Sequence, residues 1–385
     1  MPSKVHLSSN LFFFCFILIF ACQPKNANDW VSGKFKLKNI GEKLTVLIDD
    51  NTPNVSMGLQ YSQGYLFNVN WGNNEIQIYD IDTGLKVKGL KFEIEGDQGV
   101  GQIFGFHVHN LDSIFLFSQL DPVLVLTDTS GLLKNRIRYY QPEMYSPAFV
   151  HNSYFLSPPV LKGDDMYVKT HFQGNYREVT SEQLKTNHMT FAINLQTGSV
   201  RFLKHTYPDD YLNSGLKHFE PSMAAGGDKV VYSLFGDHRL FFASSFEDPL
   251  QFIAVASTHL DETLPLFPLK GERFDTQKYL QGSSRYESII YDPFKEVYYR
   301  FGFPTYTFES DEEIRNLRSE PRGFVIMTLD KDLNIIDDQY FEGGKYMPNN
   351  VFVGEKGLYI STSHPNNPEN QEDKMVFEIF ELKER

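Results

Sequence analysis

Ionisable side chains set two residues apart at the start of apolar runs are the positions best placed to do chemistry. His218-Phe219-Glu220-Pro221 and Arg285-Tyr286-Glu287 are the two clear cases. On an extended strand a two-residue interval turns both side chains to the same face. If such strands line a channel, His218, Glu220, Arg285 and Glu287 form a polar ring able to hold a small ligand or an ion. The same spacing also serves internal salt bridges, and the two readings stay open. Arg322, in Glu320-Pro321-Arg322-Gly323, is a further candidate of this kind. Carboxylates such as Glu220 and Glu287 would also suit a Ca²⁺-dependent, lactonase-like hydrolysis, although nothing in their spacing singles that chemistry out.

Two other patterns carry less. His107 and His109 flank Val108, so both imidazoles can share one strand face and begin a metal site, but the sequence assigns no third ligand. Gly96-Asp97-Gln98-Gly99-Val100-Gly101 lacks the Lys-Ser/Thr of a phosphate loop, and Gln102-Ile103-Phe104-Gly105-Phe106 after it reads as strand rather than helix. It reads as a glycine-rich loop leading into a sheet. The chain has no Gly-x-Ser-x-Gly elbow, no His-Glu-x-x-His, no Trp-Asp repeat and no Ser-x-Asp-x-Gly-x-Thr-Trp box. Two tryptophans, Trp30 and Trp71, are too few for the docking motifs of quinone-dependent dehydrogenases. No catalytic residue and no cofactor is identified on these grounds.

The elements that must position these groups are strands. Short apolar runs, among them Tyr65–Val69, Val230–Phe235, Val297–Phe301 and Phe324–Leu329, alternate with Gly, Asp, Asn and Pro, and 34 Phe with 21 Tyr favour extended structure. A repeat lies beneath them: strand, acidic or amide turn, strand. Its copies are Tyr79-Asp80-Ile81-Asp82-Thr83-Gly84-Leu85, Leu126-Thr127-Asp128-Thr129-Ser130-Gly131-Leu132 and Ile193-Asn194-Leu195-Gln196-Thr197-Gly198-Ser199, with weaker ones at Ser245–Leu250 and Leu329–Ile335. The side-chain oxygen caps the turn and the glycine supplies positive φ. The three glycines are 47 and 67 residues apart, which fits four-stranded propeller blades of about 40–50 residues lengthened by insertions. The expected fold is therefore all-β. It is a single β-propeller of six blades (seven if an insertion hides one), four antiparallel strands per blade, with Lys43–Ile48 joining three C-terminal strands to close the ring. Helical insertions are expected at Ser181–Lys185 and at Ser310–Leu317, the second with a Ser310/Glu313 capping box.

The N-terminus reads as a targeting segment. Lys4 precedes ten apolar residues, Leu11–Phe20, too few to span a bilayer, and Ala21 is the small residue before a cut. Ile19-Phe20-Ala21-Cys22 resembles the bacterial lipobox, which implies diacylglycerol on the Cys22 thiol and cleavage before it. The expected organisation is a signal peptide over 1–21, a flexible tether over 22–33 and the propeller over 34–385. Cys15 is lost with the signal, so Cys22 would be the single cysteine of the mature chain. Asp does not follow Cys22, which points to an outer-membrane lipoprotein on its periplasmic or cell-surface face. The net charge of −13 becomes −14 when Lys4 is removed. Without a basic run, nucleic acid is not an expected partner.

The lipobox, the length, the aromatic-rich irregular blades and Tyr291-Asp292-Pro293-Phe294-Lys295-Glu296-Val297-Tyr298-Tyr299-Arg300-Phe301 together resemble a Bacteroidetes-type lipoprotein family of unknown function. The resemblance implies a β-propeller and brings no catalytic motif. Three functions remain in view: a membrane-anchored binding or scaffold propeller for a protein, peptide or glycan, a cation-dependent hydrolase, and a small-ligand sensor. The anchor has a direct test. Cys22→Ala should abolish incorporation of labelled fatty acid and release the protein into the soluble fraction; labelling that persists in the variant would sink the lipobox reading.

Overall fold

The computed structural model describes residues 33–385 apart from 57, 119, 149, 151–152 and 269–272. The expected signal peptide, Cys22 and nearly all of the tether lie outside the described residues. No described helix is long and apolar enough to cross a membrane.

Twenty-four strands form six four-stranded antiparallel sheets arranged as propeller blades. The chain opens with β1 (Phe35–Leu47), which is held back for the last blade. Blade 1 is β2 (Leu59–Ser62), β3 (Tyr65–Asn70), β4 (Glu75–Asp80) and β5 (Lys86–Lys91). Blade 2 is β6 (Gly105–Asn110), β7 (Ser113–Phe117), β8 (Val123–Thr127) and β9 (Leu133–Arg138). Blade 3 is β10 (Val160–Lys162), β11 (Asp165–Lys169), β12 (Thr190–Asn194) and β13 (Val200–Phe202), with α1 (Ser181–Thr186) between its second and third strands. Blade 4 is β14 (Pro221–Gly226), β15 (Lys229–Leu234), β16 (Arg239–Ala243) and β17 (Gln251–Ala254). Helix α2 (Arg273–Gly282) precedes blade 5, which is β18 (Arg285–Asp292), β19 (Val297–Phe303), β20 (Phe324–Leu329) and β21 (Ile335–Phe341), with α3 (Asp311–Asn316) inserted after β19. Blade 6 is β22 (Met347–Gly354), β23 (Gly357–Ser361) and β24 (Lys374–Glu384), completed by β1. The blade count expected from the turns is thus six, and the N-terminal strand closes the ring as expected, starting eight residues earlier than Lys43.

Both faces of each blade are covered, so the strands read as continuous apolar runs rather than alternating ones. In β20 all six residues are buried. Phe324 and Ile326 pack toward blade 6 with Val351 and Leu358, whereas Val325 and Met327 pack toward blade 4 with Val231 and Leu240. There is one apolar core at each of the six seams between neighbouring blades. A Phe or Leu fully buried in such a seam contributes roughly 1.5–3 kcal/mol. A seventh, smaller cluster gathers Phe235, Phe267 and Tyr279 beneath α2 on one face of the disc.

The five turn motifs occupy one structural place, the connection from third to fourth strand in blades 1 to 5. The first residue of each of three turns caps it: the Thr83 amide donates to Asp80 Oδ1 (2.8 Å), the Ser130 amide to Asp128 Oδ1 (2.8 Å) and the Thr197 amide to Asn194 Oδ1 (2.9 Å). Blade 6 has no such turn because its fourth strand is β1, which is hydrogen-bonded to β24 but not connected to it. Each turn glycine also docks on the outer strand of the preceding blade. Gly84 faces the Thr45 carbonyl of β1, Gly198 the Arg138 carbonyl of β9, and Gly131 the Leu90 side chain of β5.

The inner strands β14, β18 and β22 begin on one face of the disc, here the top, and end on the other, the bottom. Residues 153–157 cross the axis between the faces. The Leu156 amide donates to Ser288 Oγ (3.2 Å) and Ser222 Oγ donates to the Leu156 carbonyl (2.5 Å). The Met223 amide donates to Ser157 Oγ (2.9 Å). This crossing divides the axial channel in two. Tyr154 and Phe155 line a top cavity; Leu156, Ser157 and Pro158 line a bottom one of about 550 Å³.

Left-handed backbone at a non-glycine residue costs about 1–2 kcal/mol. Gly131→Ala, whose new Cβ would meet nothing closer than 3.7 Å, should therefore lose about 1–2 kcal/mol. At Gly84 and Gly198 the Cβ would overlap a backbone oxygen, so Ala there should cost about 3 kcal/mol or more by chemical denaturation. Equal losses at all three positions would show that blade docking is not what requires glycine.

Candidate functional site

The top cavity, of about 340 Å³, is built from inner-strand starts and inserted helices. Two β-bulges set its walls. The register of β18 against β19 shifts between Tyr286 and Ile289, and that of β22 against β23 shifts between Met347 and Val351. Bulges free residues from the ladder and re-aim their side chains. Here Glu287 in one, and Pro348 and Asn349 in the other, line the cavity. Phe155 adds a strained wall: its backbone is left-handed, at φ 45°, and Lys169 Nζ bonds its carbonyl at 3.2 Å. Leu280 and Gln281 from α2, and Leu317 and Arg318 after α3, close the sides.

His218, Glu220, Arg285 and Glu287 all line this one cavity. The ion-pairing reading of their spacing is realised, in the wall of a cavity. Arg285 lies on β18 with Glu287 two residues on, and its Nε and Nη2 donate to Glu287 Oε1 (3.2 and 2.9 Å). Its Nη1 donates to the Gln281 and Ser283 carbonyls (2.9 and 3.3 Å), and the guanidinium covers the Phe303 ring at 4.3 Å. Glu220 makes an interblade pair: Oε1 accepts from Lys169 Nζ at 2.5 Å and lies 3.1 Å from His171 Nδ1. Burial pushes the Glu220 carboxyl upward, but the charges of Lys169 and His171 outweigh it and hold the acid well below its usual range. Burial likewise pulls Lys169 down, and Glu220 opposes that. The pair is ionised.

Among the described residues no donor reaches Glu220 Oε2 or Glu287 Oε2. His218 is fixed through its backbone. Tyr211 Oη donates to its carbonyl (2.5 Å), and its amide donates to Tyr279 Oη (3.1 Å). Its ring sits among Phe235, Tyr176 and Phe155, with centroids 5.1 to 5.8 Å away. No described side chain bonds its ring nitrogens. Burial lowers its pKa to about 4, with Glu220 pulling the other way, so the imidazole is neutral at pH 7.

Arg322 is not in this cavity. It precedes β20, the third strand of blade 5, rather than an inner strand. It faces α3 instead, 3.4 Å from Glu313 Oε1 and over the Tyr306 ring at 5.2 Å. It is Pro321 beside it that reaches the cavity. The α3 cap is half of the expected box: Ser310 Oγ accepts from the Glu313 amide (3.3 Å), while Glu313 Oε2 accepts from the Glu309 amide (2.9 Å) rather than from Ser310. His107 opens onto the bottom cavity, and burial lowers its pKa to about 4. His109 is exposed. Among the described residues no three His, Cys, Asp or Glu are placed to hold a metal ion. Lys169, His171 and Arg318 belong to the site without having been singled out from sequence. Lys169 and His171 carry the same two-residue signal, but at the end of a second strand.

The two half-buried histidines set a pH window. Each is neutral in the fold down to about pH 4 and takes up a proton below about 6.5 when unfolded. Stability is therefore present above pH 6.5 and lost as pH falls toward 4, with a slope of at most about 1.4 kcal/mol per pH unit per histidine. Denaturation at pH 7, 5.5 and 4.5 should show this loss, and a His107→Gln/His218→Gln double variant should flatten it. An unchanged slope in that variant would assign the loss to other groups.

The family described as "Domain of unknown function (DUF4221)" matches residues 33–340. A crystal structure of a DUF4221 member from Bacteroides vulgatus ATCC 8482 is similar at TM-score 0.81 and 23% identity, covering 92% of this chain and 100% of that one. A Bacteroides fragilis NCTC 9343 protein, provisionally named as exported, is similar at TM-score 0.50 and 11% identity, covering 93% and 98%. No curated protein matches.

Proposed function

The chain belongs to the DUF4221 family, and on that footing we propose that it is a membrane-anchored propeller that binds a small ligand in its top cavity. The observation that carries this reading is the meeting of His218, Glu220, Arg285 and Glu287 in one aromatic-walled cavity of about 340 Å³. That volume is at the lower end for ligand cavities. The polar groups are held in place by neighbours and, among the described residues, still have bonding capacity left: one oxygen on each carboxylate and both nitrogens of a neutral imidazole. A rigid site with unsaturated polar atoms and apolar walls binds small molecules with little reorganisation. A cation held by these acids would compete with Lys169 and Arg285, which already bond them. Binding of an organic ligand is therefore favoured over cation-dependent hydrolysis. The anchor is read from Ile19-Phe20-Ala21-Cys22 and the apolar run before it, and the outer membrane is read from the absence of Asp after Cys22.

The test is native mass spectrometry of protein incubated with an extract of its own cell envelope. A bound species of a few hundred daltons is expected, and it should disappear in His218→Trp, which fills the cavity. No bound species, or one retained unchanged in the folded His218→Trp variant, would overturn the assignment.

A further inference from the structure

We infer that the top cavity binds a free α-amino acid, with its ammonium on Glu220 and Glu287 and its carboxylate on Arg318. This rests on the small-ligand reading above and adds the class of ligand. Three features of the cavity carry it. The first is the pair of carboxylate oxygens, Glu220 Oε2 and Glu287 Oε2, which no described donor reaches. Their partner oxygens are taken by Lys169 and Arg285.

The second is Arg318. It lines the same cavity, is exposed at its rim, and lies over the Tyr154 ring at 4.6 Å. Tyr154 is held in turn by Asn349, whose Nδ2 donates to its hydroxyl at 2.7 Å. No described carboxylate pairs with Arg318. The third is the wall of Phe155, Phe235, Leu280 and Leu317, which offers an apolar side chain a place out of water.

Charge decides among ligand types. Glu220 accepts from Lys169 with His171 beside it, and Glu287 accepts from Arg285, so Arg318 is the cavity cation with no described carboxylate partner and the second carboxylate oxygens are the acceptors left over. A plain amine would satisfy the acceptors but bring a further positive charge near three cations. A plain anion would suit Arg318 but turn its acceptors against two carboxylates. A neutral polyol would leave Arg318 unpaired. A zwitterion with adjoining ammonium and carboxylate meets both needs: three charge-assisted N–H donors for the acceptors, and a carboxylate for the planar guanidinium fork. The neutral His218 ring adds an acceptor without adding charge.

Calorimetric titration of the purified full chain tests this. The probes are the twenty amino acids, the N-acetyl and carboxamide derivatives of any that bind, galacturonate, glucose and butylamine. Leucine, phenylalanine or a similar apolar amino acid should bind. N-acetylation and amidation should each weaken it by about tenfold or more. Arg318→Ala, at an exposed position, should weaken the free acid by a similar factor and leave the carboxamide unchanged. Glu287→Gln should weaken both forms.

Failure of all twenty amino acids, or affinity that survives N-acetylation, overturns the inference. If galacturonate, glucose or butylamine binds instead and His218→Trp abolishes it, the ligand class is wrong while the small-ligand reading stands. If nothing binds and the envelope extract also yields no bound species, both fall.

Discussion

A closed ring of sheets has no free edge, and here closure depends on one non-covalent joint, the pairing of β1 with β24. Blades 1 to 5 each finish with a turn that makes the fourth strand a local neighbour of the third. Blade 6 must recruit its fourth strand from the other end of the chain. The joint is reinforced where it would be weakest. At the bulge in β1 between Asn39 and Lys43, the buried Glu378 accepts from Asn39 Nδ2 (2.7 Å), Lys345 Nζ (2.9 Å) and Tyr346 Oη (2.5 Å). Nearer its start, the Leu37 amide donates to Asp337 of β21 (2.9 Å), so β1 is tied to blade 5 as well. An open row of six blades would have five apolar seams, and the sixth, between blades 6 and 1, forms only once the ring is shut.

The same closure explains how charged groups survive near the axis. Arg300 is fully buried yet has no carboxylate partner among the described residues. It lies over the Tyr286 ring at 3.4 Å and donates to Ser233 Oγ and to the carbonyls of Asp237, His238, Arg239 and Val255 at 2.7 to 3.3 Å. Those acceptors belong to blade 4 and the Arg300 stem to blade 5. A buried cation is tolerated when its donors are saturated, and here saturation requires two blades at fixed separation. The cavity applies the same rule with a difference. Lys169, Glu220, Arg285 and Glu287 are paired across or along blades, but each carboxylate keeps one oxygen that no described donor reaches.

Much of the fold was legible from local chemistry. A turn capped by Asp or Asn and released by Gly carries its signal in a few adjacent residues, and these turns mark five of the six blades. Strand pairing in the cavity wall was legible too, since a two-residue interval on an extended segment fixes a shared face. What depended on bulges and on remote segments was not. No local pattern says that 153–157 crosses the axis, or that the segment after α3 brings Arg318 to the inner strands. Arg322 failed for a related reason: its neighbours resemble the start of a strand, but the strand is the third of its blade and begins away from the axis. Helix α2 has no strong apolar stripe and follows a stretch without helical pattern, so periodicity did not reveal it.

The direction of β1 has a mechanical consequence. Phe35 pairs with Glu384 at the bottom of blade 6, and Leu47 pairs with Lys374 at the top. The described chain therefore begins on the face opposite the top cavity. A pull from that side runs along the strand axis, so it loads the β1–β24 hydrogen bonds together, in shear, rather than peeling them one after another. The joint on which closure depends would thus meet an N-terminal load in its stiffest direction, on the face opposite the mouth of the cavity.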